Sequence, residues 1–91
     1  MQLEIISPEA ILLQSDVKSV AVPGVNGEFQ MLDNHAPIVS LLQKGKIIID
    51  GNPQIEEDFQ DKFQQENGKT VLHITSGTIE MNNNKAIILV D

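Results

Sequence analysis

Apolar runs of strand length, each closed by a turn signal, recur about every ten residues along this chain. The runs fall at residues 3–6, 11–13, 17–22, 29–32, 38–42, 47–49, 71–75, 79–81 and 86–90. Between them stand Pro23-Gly24, Asn26-Gly27, Asp33-Asn34, Gly51-Asn52-Pro53, Asn67-Gly68 and Asn82-Asn83-Asn84. Pro, Gly and Asn reverse a chain because they fix φ or tolerate positive φ. This pattern predicts an all-β fold, an antiparallel β-sandwich of about ten short strands in two sheets. With 91 residues, one core and one domain over 1–91 are expected.

Composition supports strands and narrows the chemistry. The chain is 41% hydrophobic but only 3% aromatic, so its apolar content is Ile, Leu and Val, which suit a pleated surface. Cysteine is absent, which removes disulfides, thiolate metal cages and thiol nucleophiles. Thirteen acids against six lysines give a formal net charge of -7, unfavourable for a nucleic acid or anionic lipid partner. The excess is concentrated between residues 50 and 66, where Asp50, Glu56, Glu57, Asp58, Asp61 and Glu66 face Lys62 alone. A solvated charged face is the expected reading of that stretch. No apolar run approaches the roughly 18 residues that span a bilayer, so direct membrane insertion is not expected.

Asn67-Gly68 is the sharpest local signal, because a type I′ turn requires positive φ at both central residues. A hairpin centred there places Gln64 opposite Val71 and Phe63 opposite Leu72, with Asp61 facing Ile74 if the strand extends so far back. Ile55, Phe59 and Phe63 are four apart, a spacing that fits one face of a helix or of a strand. The hairpin favours a strand over 59–65, with 54–58 as loop or a helical turn. Residues 38–39, 41–42, 47–49 and 87–90 place apolar side chains on both faces of their strands, as strands covered on both sides do. Either a partner covers part of this surface or a few aliphatics face water.

Nothing in the sequence assembles a catalytic site, and no metal or other cofactor is expected. His35 and His73 are remote from each other and lack ligands at metal spacing; His73, between Leu72 and Ile74, reads as a solvent-side strand residue. The Glu56-Glu57-Asp58 run lacks the alternation and central Gly of a calcium loop. Gly24-Val25-Asn26-Gly27 lacks the Lys and following helix of a phosphate cradle. The alternative to a structural subunit is a ligand-binding or carrier-type sandwich, in which Lys85 near a hairpin tip would carry the group. A small hydrolase would need a nucleophile and base that cannot be paired here.

The stretch Val22-Pro23-Gly24-Val25-Asn26-Gly27-Glu28-Phe29-Gln30-Met31-Leu32-Asp33-Asn34-His35-Ala36-Pro37 resembles a segment of the epsilon subunits of bacterial F-type ATP synthases. There Pro-Gly, a linker and Gly-Glu lead through a strand to His-Ala-Pro. The opening Leu3-Glu4-Ile5-Ile6-Ser7-Pro8-Glu9, the stretch Leu42-Gln43-Lys44-Gly45-Lys46-Ile47 and the ending from Ser76-Gly77 to Leu89 are also similar. The resemblance covers 1–50 and 74–91. It departs from the family at Thr78, where many members have Gly, and at 51–69, which is longer and more acidic. It implies the family's N-terminal sandwich of two five-stranded antiparallel sheets, a non-catalytic rotor part joining the gamma subunit to the c-ring. Asn26, Gly27 and Glu28 would then contact the c-ring, and Ser7, His35 and Ser40 the gamma subunit. The location implied is peripheral, on the cytoplasmic face of the bacterial inner membrane. The family's C-terminal helical hairpin has no counterpart among these residues, so ATP binding is not expected.

Overall fold

A computed structural model describes residues 1–91, in which ten strands and one short 3-10 helix follow one another. The strands are β1 (Gln2–Ile6), β2 (Ile11–Asp16), β3 (Ser19–Gly24), β4 (Gly27–Leu32), β5 (Ile38–Leu42), β6 (Gly45–Asp50), β7 (Gln64–Glu66), β8 (Lys69–Ile74), β9 (Gly77–Asn82) and β10 (Lys85–Val90). Every apolar run of the sequence overlaps a strand, with residues 17–18 and 75 falling just outside β3 and β8. Hydrogen bonding runs in the order β2-β1-β10-β9-β5-β3-β6-β8-β7, with β4 on the other side of β3. The β5 to β3 link is a single pair, Gly24 with Leu42. The sheet therefore folds at that corner into two five-stranded layers, β2-β1-β10-β9-β5 and β4-β3-β6-β8-β7.

Pairing is antiparallel except between β1 and β10, which run parallel in the register Leu3 to Ala86 and Ile5 to Ile88. The expected all-antiparallel arrangement is corrected at this one place. Alternation within strands says nothing about the direction of a neighbour so distant in sequence.

In the first layer, successive rows cross all five strands. Ser40, Ile79, Ile88, Ile5 and Leu13 form one row, and Ile38, Met81, Ala86, Leu3 and Ser15 another. These rows face inward, against Val20, Val22, Met31, Ile47, Ile49 and Leu72 of the second layer. Side chains alternate between faces along a strand, so the fully buried Ile79, Ile88 and Ile5 of neighbouring strands stack in register.

The hairpin at 67–68 forms as expected, with Asn67 at φ 53° and Gly68 at φ 77° and with Gln64 opposite Val71. Asn83 and Asn84, at φ 50° and 60°, make the same two-residue reversal between β9 and β10. The expected strand over 59–65 is corrected. Glu57–Lys62 is a 3-10 helix, and only Gln64–Glu66 pairs as strand, so Asp61 does not face Ile74. Acids in the first turn and Lys62 in the last suit the helix dipole, whereas Asp, Gln and Lys are poor strand formers. Phe59 is half-buried and Phe63 buried, and with Ile55 they pack on the core. Glu56, Glu57, Asp58 and Asp61 are exposed, the solvated face expected of them.

On the outer face of the second layer, Glu66 accepts a hydrogen bond from the Lys46 ammonium at 2.8 Å, and His73 Nε2 lies 3.9 Å away. His73 is exposed, as a solvent-side residue should be. Val71 lies between His73 and Lys69 on this outward face yet is 1% exposed, because the Glu66 to Lys46 pair spans its position. The Lys46 hydrogen bond, helped by the charges of Lys46 and His73 and opposed by desolvation, holds the Glu66 carboxyl below its usual range. A depressed carboxyl pKa stabilises the fold above the unfolded pKa, and that contribution is lost as pH falls through the folded value. Glu66→Gln should therefore lower the melting temperature slightly at pH 7, and the difference from the parent should shrink as pH falls below the ordinary Glu value of about 4.3. Melting curves across pH 3–7 check this.

Candidate interaction surface

The residues singled out in the sequence fall at three levels of the first layer. Ser7 follows β1 and closes a tight turn, its Oγ accepting from the Ala10 N–H and donating to the Ala10 carbonyl, both at 3.2 Å. It lines an open cleft of about 570 Å³ with Leu12, Phe59, Leu72 and Ile74. His35 lies at the opposite end, beyond β4, where its Nδ1 is 2.8 Å from the Ala36 carbonyl and its N–H donates to the Leu32 carbonyl. Nearby, the Met1 amine lies 2.5 Å from Asp33 Oδ1, and the Asn34 N–H donates to Asn84 Oδ1 at 2.7 Å. Ser40 stands midway along β5, paired with Ile79, its Oγ donating to the Leu41 carbonyl at 3.1 Å. Its register turns it inward, but β5 is an outer strand of its layer and Ser40 stays half-exposed. The fold does not gather Ser7, His35 and Ser40 into one cluster; they span the length of the layer.

Asn26, Gly27 and Glu28 do lie together. Val25 and Asn26 form the two-residue turn between β3 and β4, and Gly27, at φ 121°, starts the return strand. Glu28 is opposite Pro23, exposed, and in no ion pair. The turn sits beside β5, with the Val25 N–H donating to the Leu41 carbonyl at 3.3 Å.

The same end of the molecule carries an apolar row that the sequence signalled only in part. On the outer face of the first layer, Leu41, Thr78, Leu89, Ile6 and Ile11 are in register across five strands. Leu41 is 63%, Leu89 49% and Ile11 51% exposed, and Val25, 48% exposed, borders them at the turn. One row over, Val39, Glu80, Ile87, Glu4 and Gln14 are mixed, with Gln14 Nε2 donating to Glu4 and Lys85 Nζ 3.7 Å from the same carboxylate. Of the two-faced runs of the sequence, 41–42 and 87–90 supply Leu41 and Leu89 to this band, whereas Ile48 of 47–49 is half-buried on the outer face of the second layer. The band's Ile6 and Ile11 members escaped notice because their neighbours across the sheet are not their neighbours in the chain. Thr78 is in regular extended backbone, so φ at this position does not require a Gly.

Lys85 is paired within β10 and directed at Glu4, which does not favour a carrier role. No three His, Cys, Asp or Glu side chains cluster in a way that could hold a metal. No helix is long and apolar enough to cross a membrane. The class defined by these features is an all-β sandwich with an exposed apolar band and a carboxylate-bearing turn at one end.

The family model described as ATP synthase, delta/epsilon chain, β-sandwich domain matches residues 1–91, and the chain belongs to that family. Among curated relatives, it is 33% identical to the ATP synthase epsilon chain of Chlorobaculum tepidum over 98% of this chain and 86% of that one. It is 33% identical to the epsilon chain of a Sulfurovum species, of which it spans 61%, and 38% identical to that of Protochlamydia amoebophila, of which it spans 52%. The fold is similar to a chain in the central stalk and c-ring structure of Tetrahymena thermophila mitochondrial ATP synthase. There the TM-score is 0.73 at 14% identity, over 99% of this chain and 62% of that one. A chain of the Euglena gracilis mitochondrial ATP synthase gives 0.75 at 19% identity, over 97% of this chain and 48% of that one.

Proposed function

We propose that this chain is a non-catalytic subunit of the rotor of an ATP synthase, seated between the gamma subunit and the c-ring. The observation that carries this reading is the family match over the whole chain, together with relatives named ATP synthase epsilon chain. The surface suits the role: an exposed apolar band and an acidic turn lie at one end, available to two partners at once. Asn26, Gly27 and Glu28 are the c-ring contact, the carboxylate meeting a basic side chain of a polar loop. Ser7, His35 and Ser40 mark the reach of the gamma contact along the first layer. The chain works peripherally, on the cytoplasmic face of a bacterial inner membrane.

Co-purification of the full chain with a gamma subunit and c-ring tests the assignment; a complex that assembles without it removes the proposal. Glu28→Gln should leave the stability within about 0.5 kcal/mol of the parent's, since the side chain is exposed and unpaired. The same variant should loosen the coupling of proton flow to ATP synthesis in reconstituted vesicles. Coupling equal to that of the parent would remove Glu28 from the contact.

A further inference from the structure

Sheet edges expose unpaired backbone groups, and folds normally blunt them. Three of the four outer strands here are blunted. In β2 the register shifts between Ile5 and Ile6, and the Gln54 N–H donates to Ser15 Oγ at 2.9 Å, drawing the following segment over that edge. β5 is met by Val25 and by Gly24 at its Leu41 to Leu42 end. β7 is only three residues long. β4 has none of these devices: after Gly27 at the turn it runs on for five residues in unbroken register, with no Pro, Lys or bulge, paired only with β3.

Which groups of β4 are free follows from the turn. A two-residue loop closes on a hydrogen-bonded pair, here Gly24 with Gly27, and bonded pairs then recur at every second residue. Gly27, Phe29 and Met31 thus bond to β3, while the backbone of Glu28, Gln30 and Leu32 points away from it. Two contacts agree with this phase. The Pro23 carbonyl, on the side of β3 away from β4, accepts from the Gln43 N–H at 2.8 Å, and the Leu32 carbonyl accepts from His35 outside the ladder. The N–H and C=O of Glu28 and Gln30 and the N–H of Leu32 remain for a partner.

We propose that β4 is a strand-addition edge, which pairs through its backbone with an extended segment of another rotor subunit carrying a Lys or Arg opposite Glu28. This deepens the rotor reading and rests on it. The segment's chemistry follows from the side chains flanking the free groups. Glu28 is unpaired in a chain of net charge -7, and Leu32, at the other end, is 56% exposed and calls for an apolar neighbour. A second copy of this chain would add another seven negative charges, so a basic partner strand fits better. The edge is also continuous with the proposed contacts, since Glu28 opens β4 and His35 lies three residues beyond its end.

Hydrogen exchange in the full chain, free and in the assembled complex with gamma and the c-ring, tests this. The Glu28, Gln30 and Leu32 amides should exchange quickly in the free chain and at least about 100-fold more slowly in the complex, while Phe29 and Met31 are protected in both. Gln30→Pro removes an N–H that β3 does not use, and Pro is tolerated on such an edge. It should fold and yet lower recovery of the complex about tenfold or more, whereas Gln30→Ala should assemble like the parent. Assembly with the three amides still unprotected would overturn strand addition and leave the rotor assignment standing. Concentration-dependent protection of the same amides in the chain alone would overturn it in favour of pairing between copies. Failure to assemble with gamma and the c-ring would overturn both readings. Should Gln30→Pro not fold, the exchange measurement on the unsubstituted chain decides.

Discussion

Replacing Ile88 by Ala should cost about 2–5 kcal/mol and lower the melting temperature by roughly 10–30 °C, enough to leave much of the chain unfolded at growth temperature. Ile88 is 0% exposed and occupies the centre of the inward row, between Ile79 and Ile5 on adjacent strands. Its side chain is held by β10, which pairs with β1 on one side and β9 on the other, so the layer cannot collapse readily into the space left behind. Ile88→Val should cost only about 0.5–1.5 kcal/mol, since one methylene is lost and the shape is kept. Thermal and urea denaturation of both variants check the size of the effect. A loss below about 1 kcal/mol for the Ala variant would show that the row is not packed as described.

Gly77→Ala should destabilise by about 1–3 kcal/mol, the reverse of the gain that removing a glycine usually brings through the unfolded chain. Gly77 pairs with Leu42 on one side and Val90 on the other, and a Cβ there would sit 2.4 Å from the Leu89 carbonyl oxygen. That atom belongs to the backbone, so relief requires moving β10 itself. Two readouts are expected, a lower melting temperature and faster amide exchange at the β9 to β10 pairing near residues 77–90. Unchanged exchange with a normal melting temperature would show that the strands have slack the structure does not display.

How much of this was legible beforehand depended on distance along the chain. The turns at Asn67-Gly68 and Asn82-Asn83-Asn84 could be read because positive φ is a property of a few adjacent residues. The nine apolar runs were legible for the same reason, and each became a strand. Phe59 and Phe63 were ambiguous because a spacing of four suits both periods, and the deciding influence was the poor strand propensity of the polar residues around them. The parallel partnership of β1 with β10, the row from Leu41 to Ile11 and the phase of the free groups on β4 were all invisible. Each arises from residues that meet only across the sheet. At the site, Asn26, Gly27 and Glu28 lie together because they are consecutive in the chain. Ser7, His35 and Ser40 came out at separate levels, because motif similarity carries the identities of residues and not their distances.

The pairing of Leu3 with Ala86 has a consequence for how the molecule comes into being. During synthesis the first strand emerges early with an apolar side and only β2 to shelter it, and its other flank stays bare until the final strand leaves the ribosome. The strands of the second layer, β3, β4, β6, β7 and β8, have all their ladder partners by then, while Val20, Ile47 and Leu72 still await the cover of the first layer. Contacts this far apart in sequence form slowly, and unpaired strands invite wrong partners in the interval. Closure of the first layer is therefore expected to come late in folding, a zip drawn shut by β10 between two strands that have been waiting for it.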